Sequence, residues 1–177
     1  HLKIDVDKIK EAVAQFKGVK RRFEYIIPLQ EKVAGAYTYP VLIDDYAHHP
    51  EELRALLKSV KSLFPQRKLT VLFQPHLFSR TKDFAKAFSD SLNIADRLIL
   101  LPIYPAREQP MEGVSSEMLL KNIDKGKGEV VEKRDVLAWM QEYVKTIDKE
   151  FGEVIVIAGA GDIDTLVQPL KKIIENA

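Results

Sequence analysis

From residue 51 onward, short apolar runs alternate with stretches of helical periodicity, and this alternation constrains the fold more than any other feature of the chain. The runs are Leu69-Thr70-Val71-Leu72-Phe73, Arg97-Leu98-Ile99-Leu100-Leu101, Glu129-Val130-Val131 and Val154-Ile155-Val156-Ile157-Ala158. Helical patterns cover about 51–63, 80–93, 115–123, 134–148 and 163–175, and Pro169 in the last predicts a kink or a shortened helix. Such repetition demands right-handed crossovers and a mostly parallel sheet. Near-continuous apolar strands fit a sheet covered on both faces.

Upstream, residues 5–17 read as a helix with Ile9, Val13 and Phe16 on one face and Gly18 as its stop. Residues 21–27 and about 37–44 read as strands that pair antiparallel. The expected fold class is therefore α/β: a Rossmann-like open, mostly parallel sheet with helices on both faces and one antiparallel strand near the N-terminus. A length of 177 residues suits one compact domain.

Composition narrows the function classes. Lys and Arg number 27 against 26 Asp and Glu, a net charge of +1, which argues against a general nucleic-acid or anionic-membrane surface. The absence of cysteine removes disulfides and thiolate chemistry. No apolar run approaches the ~20 residues of a membrane span. The first residues carry charges where a signal peptide would be apolar, so a cytoplasmic setting is expected.

Polar clusters recur just after the strands, at the edge where open α/β sheets bind ligands. They are Asp44-Asp45-Tyr46-Ala47-His48-His49-Pro50, Gln74-Pro75-His76-Leu77-Phe78-Ser79-Arg80-Thr81, Tyr104-Pro105-Ala106-Arg107-Glu108 and Gly159-Ala160-Gly161-Asp162. Each residue has an ordinary alternative: Asp45 or His48 as a helix cap, Tyr46 as packing, Arg22, Arg80 and Arg107 as surface charge. The glycines permit close approach of an anion or simply a tight turn. A complete phosphate loop is absent; Gly126-Lys127-Gly128 lacks its hydroxyl and first glycine. Asp44, Asp45, His48 and His49 are possible metal ligands, but adjacent histidines point apart, and no metal site is expected.

These stretches resemble the Mur ligases of peptidoglycan synthesis, in the branch that adds L-alanine. The turn from Asp44 to Pro50 is similar to that branch's Asp-Asp-Tyr-Gly/Ala-His-His-Pro. Phe73-Gln74-Pro75-His76 with Ser79-Arg80-Thr81, then Tyr104 to Glu108 and Gly159 to Asp162, follow in family order, and Gly18 to Glu24 resembles the entry to the third domain. A murein-peptide recycling ligase has a similar first turn and is the alternative within the family, but the Gln-Pro-His and Ser-Arg-Thr stretch favours the alanine-adding branch.

The resemblance implies a carboxy-terminal domain over 19–177 with a helical lead-in, 1–18, from a central domain. The missing initiator Met fits this. It implies ATP and Mg2+, the ion sites and phosphate loop lying mainly in the central domain. It also implies L-alanine and UDP-N-acetylmuramate as partners, the sugar nucleotide being held by a first domain. Arg22 and His48 would face the phosphates as the catalytic pair, Asp45 the ribose, and Tyr46 the nucleotide or amino-acid side. His76 and Arg80, with Arg107, would hold the alanine carboxylate. Leu77 departs from the family, where many members have Arg. A stand-alone nucleotide-binding module and a metal hydrolase are the competing readings.

Overall fold

The computed structural model describes residues 4–16 and 18–177. The helices are α1 (Val6–Gln15), α2 (Pro50–Leu63), α3 (Phe78–Asp83), α4 (Ala85–Leu92), α5 (Ser116–Leu120), α6 (Val136–Tyr143) and α7 (Val167–Glu175). The strands are β1 (Glu24–Ile27), β2 (Val41–Asp45), β3 (Lys68–Phe73), β4 (Arg97–Leu100), β5 (Gly128–Val130) and β6 (Glu153–Ala158). They form one sheet in the order β1-β2-β6-β3-β4-β5, with β1 antiparallel to β2 and every other pair parallel. The expected α/β class is the observed one.

The order follows from where the connections run. The α2 crossover from β2 to β3 leaves a gap between those strands, and β6 fills it after α6 returns over the opposite face. Helices α2, α4 and α5 cover one face through Leu53, Leu57, Phe88, Leu92 and Leu119; α6 and α7 cover the other through Val136, Met140, Leu170 and Ile174. In α2 the buried positions Leu53, Leu56, Leu57 and Val60 recur at helical spacing, so one stripe meets the sheet. The carboxyl ends of β2, β6, β3 and β4 then share one edge of the sheet.

Several boundaries move for local reasons. The strand expected over 21–27 begins at Glu24, because Arg21 and Phe23 adopt left-handed backbone (φ 56° and 49°) that no strand accommodates. The helix expected over 80–93 is two, interrupted at Phe84 (φ −111°, ψ 19°). The helix over 134–148 is a 3₁₀ turn, α6 and a second 3₁₀ turn. Pro169 falls in the first turn of α7, where its missing N–H has no intrahelical partner to lose, and a 3₁₀ turn over Asp162–Leu166 precedes it. Helix α1 ends at Gln15, before Gly18, and buries no residue; the shared face of Ile9, Val13 and Phe16 is exposed. The expected last residue of that helix, 17, lies outside the described residues.

Candidate active site

Four turns meet at the carboxyl edge, and the first is set by the start of α2. His49 caps this helix and Glu52 reaches back to the His48 and His49 amides (2.9 and 3.1 Å), forming a capping box with Pro50 at the first helical position. The cap is therefore His49, not Asp45 or His48. Burial opposes ionisation of Glu52, yet those two amides and the nearby His48 and Arg22 hold its carboxyl below the usual range. His48 is thereby turned so that Nδ1 donates to the Tyr46 carbonyl (2.9 Å), with Glu52 Oε2 at 3.3 Å.

This geometry strings rings along the edge. The Arg22 guanidinium lies 5.3 Å from the Tyr46 ring centre. Tyr46 meets His48 edge-on at 5.1 Å, and His48 meets His76 edge-on at 6.0 Å. His76 stacks on Tyr104 at 5.7 Å. At the far end Arg80 Nη1 is 3.5 Å from His76 Nδ1. Burial first, then the charges of Arg80 and His48, lower the His76 pKa against the pull of Glu108. Arg22 and Arg80 have no carboxylate partner within salt-bridge distance among the described residues. The row thus carries, near each end, a cation with no carboxylate in salt-bridge contact among the described residues.

Other expected residues are placed differently. Asp45 is buried, and both its oxygens already accept amides, Phe23 N and Ala47 N, at 2.7 Å each. Arg107 is exposed and outside the ring row. Its neighbour Glu108 instead ties the β4 turn to α3, accepting from the Ser79 amide (2.9 Å) and from the Ser79 hydroxyl. Those bonds hold the Glu108 carboxyl below its usual range.

Sequence reasoning also passed over Arg21, which is the better-connected arginine. Its Nη2 donates to the Gly159 carbonyl (2.6 Å), its Nε lies 3.5 Å from Asp44 Oδ2 and its Nη1 3.4 Å from Asp164. Its own carbonyl accepts the Tyr46 amide (2.9 Å). One side chain therefore clamps the turns of β2 and β6 to the segment entering β1. Reading 21–27 as a regular strand hid this, since only the left-handed turn brings Arg21 inward.

The glycines after β6 serve packing. A Cβ on Gly161 would lie 2.5 Å from Gln74 Oε1 and 2.8 Å from Tyr104 Cβ and Cγ. Gln74 spans this gap, accepting the Ile163 amide (3.0 Å) and donating to Asp162 (2.9 Å), which Lys133 also holds at 2.6 Å. We expect Gly161→Ala to lower stability by about 2 kcal/mol, as overpacking does, read from the urea midpoint. An unchanged midpoint would show that Tyr104 yields freely.

Comparison with known proteins agrees with the fold. Residues 21–161 match the family described as Mur ligase, glutamate ligase domain. A UDP-N-acetylmuramate–L-alanine ligase of Cytophaga hutchinsonii is 46% identical over 173 residues, covering 98% of this chain and 34% of that protein. The crystal structure of UDP-N-acetylmuramate–alanine ligase from Thermotoga maritima aligns with TM-score 0.66 at 28% identity, over 98% of this chain and 33% of that one. A crystallised domain from a putative UDP-N-acetylmuramate:L-alanyl-γ-D-glutamyl-meso-diaminopimelate ligase of Haemophilus ducreyi shares the fold, at TM-score 0.54 and 19% identity, over 82% of this chain and 99% of that one. The chain thus spans about a third of the length of the curated relatives it matches. It belongs to the Mur ligase family, and its sheet and clustered turns are that family's glutamate ligase domain.

Proposed function

We propose that residues 19–177 form the carboxy-terminal closing domain of an ATP-dependent ligase that joins L-alanine to UDP-N-acetylmuramate, and that residues 1–18 lead in from a central domain. The observation that carries this reading is the ring row with unpaired Arg22 and Arg80 near its ends. Two anions could be held there at once, a phosphate group at one end and a carboxylate at the other. The exposed apolar face of α1 suits a helix that packs against an upstream domain.

In the proposed reaction ATP phosphorylates the sugar-nucleotide carboxylate, giving an acyl phosphate and ADP. The alanine amine then attacks the acyl carbon, and phosphate leaves as the amide forms. Arg22, beside Tyr46 and His48, neutralises phosphate charge as the domain closes; an arginine fork keeps its charge and matches phosphate oxygens. His48 is held by the Tyr46 carbonyl and needs no reorganisation to face that group. Asp45 can offer a ribose hydroxyl only the lone pairs its two amides leave. His76, its basicity depressed, stays neutral near pH 7 and adds no charge beside Arg80, which receives the alanine carboxylate. Closure keeps water from the acyl phosphate.

Mg2+ would supply charge neutralisation on the ATP phosphates, but four carboxylates at this edge are already engaged within the fold. Asp45 is held by amides, Glu52 by the helix cap, Glu108 by Ser79 and Asp162 by Lys133 and Gln74. The ion belongs to the central domain in this reading.

The test is phosphate release coupled to amide formation. The full-length protein should need L-alanine, UDP-N-acetylmuramate and ATP together, while the 177-residue chain alone makes no amide. Amide synthesis by the chain alone, or a full-length protein that joins a peptide rather than alanine, would overturn the proposal.

A further inference from the structure

We propose that Tyr104 is a positioning residue for the amino-acid end of this site, its ring fixing His76 and, through His76, the Arg80 guanidinium. The inference rests on the reading above and deepens it. Tyr104 was not among the residues the sequence singled out for a role, and the structure gives it three independent ties to that end of the site.

The first tie is through the backbone. His76 and Tyr104 form a parallel β-bridge beyond the ends of β3 and β4. The Tyr104 amide donates to the Pro75 carbonyl (2.8 Å), and its carbonyl accepts the Leu77 amide (3.0 Å). These bonds bracket His76. They also hold Leu77 at φ 72°, a conformation that an L-residue keeps only where its surroundings enforce it. The Leu77 carbonyl in turn accepts the Thr81 amide (3.1 Å) and hydroxyl (2.8 Å), so the bend delivers Arg80 on the first turn of α3.

The second tie is the ring. Tyr104 and His76 are nearly parallel, 17° apart, with centres at 5.7 Å. The third lies where the side chain leaves its backbone: the atoms that begin it fill the space that a Cβ on Gly161 would occupy. The side chain thus starts against the glycine turn after β6 and carries its ring to the imidazole, while Gln74 locks that turn. The imidazole's other neighbours are Arg80, His48 and the charge of Glu108. With the ring removed, nothing else in this set braces the face of His76 that Tyr104 covers. The Tyr104 hydroxyl makes no hydrogen bond among the described residues, so the ring rather than the phenol carries the role.

Three variants test this. In the full-length protein, Tyr104→Ala should raise the Michaelis constant for alanine about tenfold, the scale of one aromatic pair, with that for ATP within about twofold. Tyr104→Phe should stay within about twofold of the parent for both, and Tyr104→Leu, which refills the volume without a ring, should follow Ala. In the 177-residue chain, the His76 ring resonances should titrate at higher pH in Tyr104→Ala and Tyr104→Leu than in the parent, because the imidazole is less buried. Equal alanine constants in Leu and Phe variants, or an unmoved His76 titration, would overturn the proposal. If the full-length parent shows no alanine dependence at all, the proposed function fails by itself. The His76 titration still decides whether Tyr104 orients that ring.

Discussion

Asp44→Asn should make the chain more stable at pH 7.5, by about 3 kcal/mol, with no gain at pH 4. Asp44 is 2% exposed, its Oδ1 has no hydrogen-bond partner among the described residues, and Oδ2 meets Arg21 only at 3.5 Å. Burial lifts its pKa from an ordinary 3.8 to about 6; Arg21 opposes the rise, while Glu24, Asp164 and Asp45 add to it. Between about pH 4 and 6 the folded chain therefore keeps a proton that the unfolded chain has lost. Stability is full below pH 4 and falls as the pH rises through 6. That interval, at 1.36 kcal/mol per pH unit, is the source of the estimate of about 3 kcal/mol. Asn resembles the protonated acid in shape, so it removes the loss without opening a cavity. Glu52, Glu108 and Asp162 have lowered pKa values and act in the opposite sense, losing stability as the pH falls through their folded values. They are common to both proteins and cancel in the difference. Urea midpoints of parent and variant at pH 4, 5, 6 and 7.5 should diverge progressively. A gap that does not change with pH would show that Asp44 is ionised without penalty.

A carboxylate that weakens the fold at neutral pH needs another reason to be there, and its position supplies one. Asp44 sets a negative charge 3.5 Å from the guanidinium that ties Gly159, Asp164 and the entry to β1 together. Continuous apolar runs made the strands legible and the 3.6-residue period most of the helices, because a sheet covered on both faces buries whole strands while a helix buries one stripe. The four turns were legible as a group because parallel strands bring their carboxyl ends to one edge. Three things were not. The insertion of β6 between β2 and β3 depends on which face each crossover takes, and local periodicity does not encode this. The choice of Arg21 over Arg22 as the clamp depends on left-handed backbone at residues that carry no glycine signal. The exposed face of α1 has the same pattern as a buried one, so periodicity could not tell them apart. For the glycine turn the sequence allowed both anion contact and a plain tight turn, and the missing side chain of Gly161 is space that Tyr104 and Gln74 occupy.

Arg80→Ala in the full-length protein should raise the Michaelis constant for L-alanine about 100-fold and leave that for ATP within about twofold. The argument begins at Leu77. Where many Mur ligases carry a second arginine this chain has an apolar side chain, so at the end of the ring row the carboxylate has one guanidinium to meet. Arg107 is not in that row. Arg80 has no carboxylate partner among the described residues, and its Nη1 contact with His76 leaves its other donors for a ligand. A charge-assisted hydrogen bond to a carboxylate contributes roughly 1.5–3 kcal/mol, and the upper part of that range corresponds to about 100-fold in binding. In the proposed reaction the alanine carboxylate takes no part in bond formation and is held alike before and during attack by the amine. The loss should therefore fall on the Michaelis constant and leave kcat nearly unchanged. Arg80→Lys, which keeps the charge but not the fork, should lie between, at about tenfold. Leu77→Arg added to Arg80→Ala should recover part of the loss, since the left-handed bend at 77 puts its residue next to His76 on the same turn. An alanine constant unmoved by Arg80→Ala would mean that the carboxylate is held by a group outside this chain, and the role given to the His76 end of the site would fall with it.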